Sequence, residues 1–233
     1  MISKLYLIPS SLGGVHVQDF LPEGTLTVIR SLQHFIVEDG KTARAFLKTC
    51  SITIPQSELV IQELDKHQPD QDMAELLLPM KSGISMGLLS EAGCPGVADP
   101  GARVVAEAHR NGYKVMPLVG PSSLLLALMA SGLSGQQFCF HGYLPIDKAE
   151  RMKKIQRMEE AAKSKKETQL FIETPYRNNQ LLADLLQYLS GETKICLASD
   201  LTTPDEHIRT LKVKDWKKST PELHKKPCVF LIG

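Results

Sequence analysis

Residues 90–101 read Ser-Glu-Ala-Gly-Cys-Pro-Gly-Val-Ala-Asp-Pro-Gly and follow directly on the apolar run from Ile84 to Leu89. Three glycines and two prolines in one short stretch fix an unusual backbone path. Glycine admits positive φ and lets another molecule approach the main chain, whereas proline fixes φ and gives up its donor. The pattern is that of a strand feeding a rigid, ligand-holding loop, with a purely structural strand-to-helix link as the plainer alternative.

Around that loop, strand and helix signals alternate. Lys4 to Ile8 is a short β-prone run that ends in Pro9-Ser10-Ser11-Leu12-Gly13-Gly14, a first strand and a tight glycine-bearing loop. Thr25 to Leu32 predicts a helix, and His34 to Val37 a strand that delivers Glu38 and Asp39 at its carboxyl end. Thr42 to Thr49 reads as helical and Leu59 to Ile61 as a weaker strand. Leucine, alanine and methionine at helical spacing predict a helix from Asp70 to Met80, capped by Asp70 or Asp72. Beyond the glycine–proline loop come a helix from Ala102 to Arg110, stopped at Asn111-Gly112, and a strand from Tyr113 to Leu118. Such alternation means a mostly parallel sheet, and in such sheets ligands bind beyond the carboxyl ends of the strands.

Gly120-Pro121-Ser122-Ser123 starts an apolar helix running to about Ala130; its free amides suit a carboxylate or phosphate, and a plain N-cap explains them equally well. From Gln136 the rhythm changes. Five strand signals, at Phe138 to Tyr143, Thr168 to Ile172, Thr193 to Ala198, His207 to Val213 and Pro227 to Ile232, surround only two helices, Ala149 to Ala162 and Tyr176 to Leu189. The chain therefore reads as an α/β protein of two domains. Residues 1–119 hold a mostly parallel sheet, and residues 120–233 form an α+β domain with a mixed sheet.

Composition excludes several classes. A net charge of +1 over 233 residues makes no global case for a polyanionic partner, so any nucleic-acid contact must come from a local patch. The five cysteines are widely spaced, with no C-x-x-C pair, and read as reduced thiols rather than a disulfide frame or zinc site. No signal-peptide pattern and no apolar run of membrane-spanning length is present, which predicts a cytoplasmic protein without a membrane partner. Gly40-Lys41-Thr42 looks like the end of a phosphate-binding loop, but the first glycine of that motif would fall on Phe35, inside a strand. No G-x-G-x-x-G follows the first strand, and Leu124 stands where a serine nucleophile elbow at Ser122 needs glycine, so hydride transfer and serine hydrolysis lose ground.

The glycine–proline loop, together with Pro-Leu-Val-Gly-Pro-Ser-Ser from Pro117 and Phe-His-Gly-Tyr-Leu-Pro from Phe140, resembles the S-adenosylmethionine-dependent tetrapyrrole-methylase superfamily. The nearest branch is the methyltransferase family that 2′-O-methylates a cytidine of small-subunit ribosomal RNA. Leu5 to Gly14 resembles its first strand and loop, Val37 to Leu47 its E-D-T-R segment, and Glu173 to Arg177 its S-P-H-R segment. The resemblance implies two α/β domains with the cofactor between them, and a homodimer. It assigns cofactor contacts to Pro9, Leu12, Gly93, Cys94, Pro95, Val97, Ser122 and Ser123, with later ones near Glu173 to Pro175 and Asp200 to Leu201. The chain departs from the pattern in three places: Cys94 replaces an acid common in other branches, E-D-T-R is here Glu38-Asp39-Gly40-Lys41, and Glu63 to His67 replaces a histidine-rich segment. Ending at Gly233, it reads as a short form without the C-terminal extension.

A sulfonium methyl is already activated, so the protein's task is in-line placement and exclusion of water. A ribose hydroxyl also needs its proton withdrawn as the bond forms. Asp39 with Glu38, backed by Asp99, are the catalytic candidates, although Asp99 before Pro100 can instead bond its own turn and Glu38 can pair with Lys41 or Arg44. Lys41, Arg44, Glu91, Arg103 and Arg177 are candidates for the RNA substrate, and Tyr176 and Tyr143 for stacking. The charged stretch from Lys148 to Lys166 interleaves acids with bases and reads as a solvated face. A methylase of a small tetrapyrrole-like molecule and a non-catalytic S-adenosylmethionine-binding module remain as alternatives.

Overall fold

The computed structural model describes residues 3–14, 16–64, 68 and 70–233. Asp65 to His67, most of the segment that replaces the histidine-rich one, lie outside the described residues. The chain separates into two compact units, Met1–Ser122 and Ser123–Gly233.

The first unit alternates β1 (Lys4–Ile8), α1 (Glu23–Ser31), β2 (His34–Val37), α2 (Gly40–Thr49), β3 (Val60–Glu63), α3 (Met73–Leu76), α4 (Leu78–Lys81), β4 (Met86–Leu89), α5 (Gly101–Arg110) and β5 (Lys114–Pro117). All five strands are parallel, in the order β3-β2-β4-β1-β5. The helix expected from Asp70 to Met80 is two short helices instead. Asp72 caps the first by accepting from Ala74 N at 2.8 Å, and Pro79, which cannot donate within a helix interior, forces a restart at Leu78.

Helices α1 and α2 bury Leu26, Ile29, Ala43 and Leu47 with Phe35 on one face of the sheet. Helices α3 to α5 bury Met73, Leu76, Met80, Val104 and Ala108 with Ile36 and Met86 on the other. The central strand β4 is buried throughout, and its Gly87 leaves room for its neighbours: a β-carbon there would lie 2.6 Å from Ile8 Cδ1 and 2.8 Å from Phe35 Cδ1. Chain leaving β1 and β2 turns to the first face, whereas chain leaving β4, which lies between them, turns to the second. Adjacent strands whose connections part in this way open a crevice at their carboxyl ends, the topological switch point of an open α/β sheet.

The second unit runs α6 (Ser123–Ser131), β6 (Phe138–Tyr143), α7 (Lys148–Lys165), β7 (Thr168–Ile172), α8 (Asn178–Tyr188), β8 (Lys194–Ser199), β9 (His207–Lys212), α9 (Val213–Trp216) and β10 (Cys228–Ile232). Its sheet is mixed, in the order β6-β7-β10-β8-β9, with β6 and β7 parallel and the other pairs antiparallel. Helices α7 and α8 pack Ile155, Met158, Leu182 and Leu185 onto Phe171 and Phe230, whose rings stack at 5.7 Å. The buried Arg151 of α7 meets Asp184 of α8 at 2.7 Å, a pair completed by the carbonyls of Pro145 and Ile146. The single turn α9 was invisible to periodicity and is held by the buried Trp216, whose indole N–H donates to Ile195 O at 3.0 Å. Among the described residues no helix is long and apolar enough to cross a membrane.

Candidate active site

Three loops of the first unit meet at the carboxyl end of the sheet. Ser10 N donates to Gly93 O at 2.9 Å, and the Ser10 hydroxyl to Ser90 O at 2.9 Å, so the loop after β1 is bonded to the loop after β4. Leu12 packs on Gly93, which sits at φ +73 where a side chain would be strained. The Cys94 thiol donates to Pro121 O at 3.4 Å, which ties in the segment after β5. Gly120 lies directly on Pro9; a β-carbon there would come within 2.5 Å of the proline's Cβ. The junction thus brings together Pro9, Leu12, Gly93 and Cys94, with Pro95 and Val97 further along the same loop and Ser122 next to Pro121, while Ser123 begins α6 in the second unit.

The departure at Cys94 has a physical account here. Burial, and then the charge of Asp99, push its thiol pKa up, so it remains a neutral S–H that can donate to a carbonyl. A carboxylate in its place would face that oxygen with no proton to offer. Asp99 is held within the loop: one carboxylate oxygen accepts from Gly96 N at 2.7 Å and Gly101 N at 2.8 Å. It closes the turn around Gly96 and Ala98, whose φ values are +80 and 60.

Beside the junction, at the switch point, lies a pocket of about 310 Å³. Its walls come from the ends of β1 (Ser10, Ser11), β2 (Glu38, Asp39) and β4 (Ser90, Glu91), and its floor is apolar, with Val37, Leu89, Phe20 and Phe46. No Lys, Arg or His is among the described lining residues, so the pocket carries a negative field. Glu38 accepts from Glu91 N at 3.1 Å, which bridges the ends of β2 and β4. Asp39 caps α2 by accepting from Thr42 N at 2.6 Å. Hydrogen bonding from Thr42, with smaller help from the Lys41 charge, holds its carboxyl below the usual carboxylate range.

The remaining sequence candidates are dispersed. Lys41 is exposed on the first turn of α2. Arg44 donates to Gln56 O at 2.6 Å, and Arg103 to Gln68 O and Gln71 O at 3.3 and 3.2 Å, so both guanidinia brace loops of the first unit. Arg177 stands in the second unit, 3.0 Å from the buried Glu173. Sequence reasoning missed Phe20, Phe46 and the two bridging serines, Ser10 and Ser90. The serines carry an ordinary turn composition whose cross-loop bonds appear only once β1 and β4 are known to be neighbours.

Two α/β units, a parallel sheet with a glycine–proline loop and switch-point pocket followed by a mixed sheet, define a class of two-part transferase. The chain belongs to the tetrapyrrole (corrin/porphyrin) methylase family, whose model matches residues 18–216, and it is a methyltransferase. It is 31% identical over 211 residues to the ribosomal RNA small subunit methyltransferase I of Vibrio cholerae, covering 91% of this chain and 69% of that one. Its identity to the Bacillus subtilis protein of the same name is 32% over 206 residues, covering 88% and 66%. The fold is similar to that of a cobalamin biosynthetic enzyme, cobalt precorrin-4 methyltransferase, with a TM-score of 0.63 at 17% identity, covering 99% of this chain and 94% of that one. It also resembles uroporphyrin-III-C-methyltransferase from Thermus thermophilus, with a TM-score of 0.56 at 18% identity and the same coverage.

Proposed function

We propose that this chain transfers a methyl group from S-adenosylmethionine to a ribose 2′-hydroxyl of small-subunit ribosomal RNA, as a cytoplasmic homodimer. The observation that supports this most is the acidic, nucleoside-sized pocket beside the three-loop junction, in a chain whose relatives carry that ribosomal name. At about 310 Å³ it lies at the low end of the range for small-molecule sites, roughly 300–1,000 Å³, which suits one nucleoside better than a macrocycle. The residues fit the cofactor as well. A sulfonium and an ammonium are cationic, and the junction adjoins a pocket whose described lining has carboxylates and no cation.

The bound cofactor supplies the activated methyl group. Pro9, Leu12, Gly93 to Val97 and Ser122 would hold it, with Asp99 fixing the turn of the long loop. Glu38, fixed by the Glu91 amide, accepts the proton of the ribose hydroxyl as the new O–C bond forms. Asp39 serves as a positioning residue that sets the start of α2, its carboxylate engaged by the Thr42 amide. Lys41, exposed beside the rim, is placed for a phosphate. Incubation of the chain with methyl-labelled cofactor and undermethylated small ribosomal subunits tests the reading: label in a ribose 2′-O-methyl is expected. Label only in a tetrapyrrole acceptor would reassign the substrate, and cofactor binding with no transfer to either would make the chain a binding module.

A further inference from the structure

The second unit carries an aromatic pair that the pocket does not use. Tyr176, 69% exposed, packs edge-on against the exposed His224, with ring centroids 5.7 Å apart and planes at 73°. The turn that presents it follows β7 and is tied down on both sides. Arg177 N donates to Thr174 O at 2.9 Å, Lys225 N to Pro175 O at 3.0 Å, and the buried Asn178 amide to Lys226 O at 2.6 Å. Lys225 sits at φ 62, a left-handed conformation unusual for a residue with a β-carbon, and it is this backbone that reaches Pro175. These bonds fix the backbone of the turn that carries the ring.

Arg177 follows Tyr176, and Lys225 and Lys226 follow His224, in the chain. Arg177 meets Glu173 through one nitrogen at 3.0 Å, and a guanidinium has further N–H donors to spare. Lys226 pairs with Asp200 at 3.3 Å, and Lys225 is exposed with no ion pair among the described residues. Three acids lie beside these cations: Glu173 and Asp200 in the ion pairs above, and Glu222, which accepts from Asn179 and from His224 N.

We propose that this platform binds one unpaired nucleotide of the RNA substrate: its base stacks on Tyr176, braced by His224, while Arg177 and Lys225 take the flanking phosphates. The proposal rests on the RNA reading above. Every base has a π-face, so the contact tolerates sequence, but in a duplex that face is covered, so the partner is single-stranded.

The test measures the full chain binding an unstructured single-stranded RNA oligonucleotide, and its KM for small ribosomal subunits. Tyr176→Ala should weaken oligonucleotide binding about 5- to 150-fold, the range of one lost base–aromatic stack. Tyr176→Phe should restore it, and Lys225→Ala should lower the salt slope by about 1. KM for subunits should rise in Tyr176→Ala with kcat and cofactor affinity unchanged. Wild-type affinity in Tyr176→Ala overturns the platform even if methylation is confirmed. If no subunit is methylated yet oligonucleotide binding depends on Tyr176, the methylation reading falls and the platform stands.

Discussion

The pocket of the first unit and the platform of the second differ in how their charges are composed. The pocket has three carboxylates, Glu38, Asp39 and Glu91, and no cation among its described lining residues. The platform sets Tyr176 and His224 among Arg177, Lys225 and Lys226, with Glu173, Asp200 and Glu222 interleaved. A net charge of +1 does not report such local differences. On the proposed function, the contrast divides the work of ribose methylation between the two. An acidic site suits a proton acceptor facing a cationic cofactor and repels phosphate, so the backbone of an RNA must be gripped elsewhere.

The largest expected effect strikes at the acidic side. Glu38→Gln keeps the side-chain shape and an acceptor for the Glu91 amide but loses the base, so methyl transfer should fall by about 10²- to 10⁴-fold with cofactor affinity retained in calorimetry. Transfer within tenfold of wild type would mean that the acidity of the pocket is scaffolding. The division of labour would then collapse.

Next in size are changes at the junction. In Gly120→Ala the new methyl meets the Pro9 ring at 2.5 Å, and a ring fused to the backbone cannot swing away as a flexible side chain would. Overpacking of this kind costs about 1–3 kcal/mol. A lower melting temperature together with weaker cofactor binding is expected, because Pro9 and Gly93 belong to one bonded assembly. Loss of stability with cofactor affinity intact would remove Pro9 from the cofactor site. Cys94→Asp should weaken cofactor binding through repulsion at Pro121 O, and Cys94→Ser, which still donates, should not.

How much of this could be read beforehand follows from which interactions are local. The ends of β1, β2 and β4 are set by short apolar runs and glycine or proline punctuation, so Glu38 and Asp39 could be placed at a strand end from their neighbours alone. The strand order β3-β2-β4-β1-β5 leaves no trace in periodicity, and it is this order that joins Ser10 to Ser90 and opens the pocket. Arg44 and Arg103 illustrate the same limit. Each donates to carbonyls 12 to 35 residues away, so both guanidinia also brace loops, a role that no local pattern announces. Asp99 was the reverse case, since its turn bonds span two and three residues and a local alternative for it was legible.

The smallest effect separates the two carboxylates of the pocket rim. Asp39 has its folded pKa held below the ordinary value of 3.8, so its contribution to stability is complete above that pH and is lost as pH falls through the folded value. Asp39→Ala should therefore lower the melting temperature modestly, by a gap that is constant between about pH 5 and 8 and closes on further acidification, as scanning calorimetry would show. A gap that widens in acid would mean that the carboxyl is protonated, not ionised, where it caps α2. The same sign bears on catalysis, because a base with a depressed pKa has its acid limb below the pH range of ordinary assays. Any acid limb of kcat/KM above about pH 5 then belongs to another group. It should persist in Asp39→Asn, which keeps an acceptor for the cap and removes only the charge.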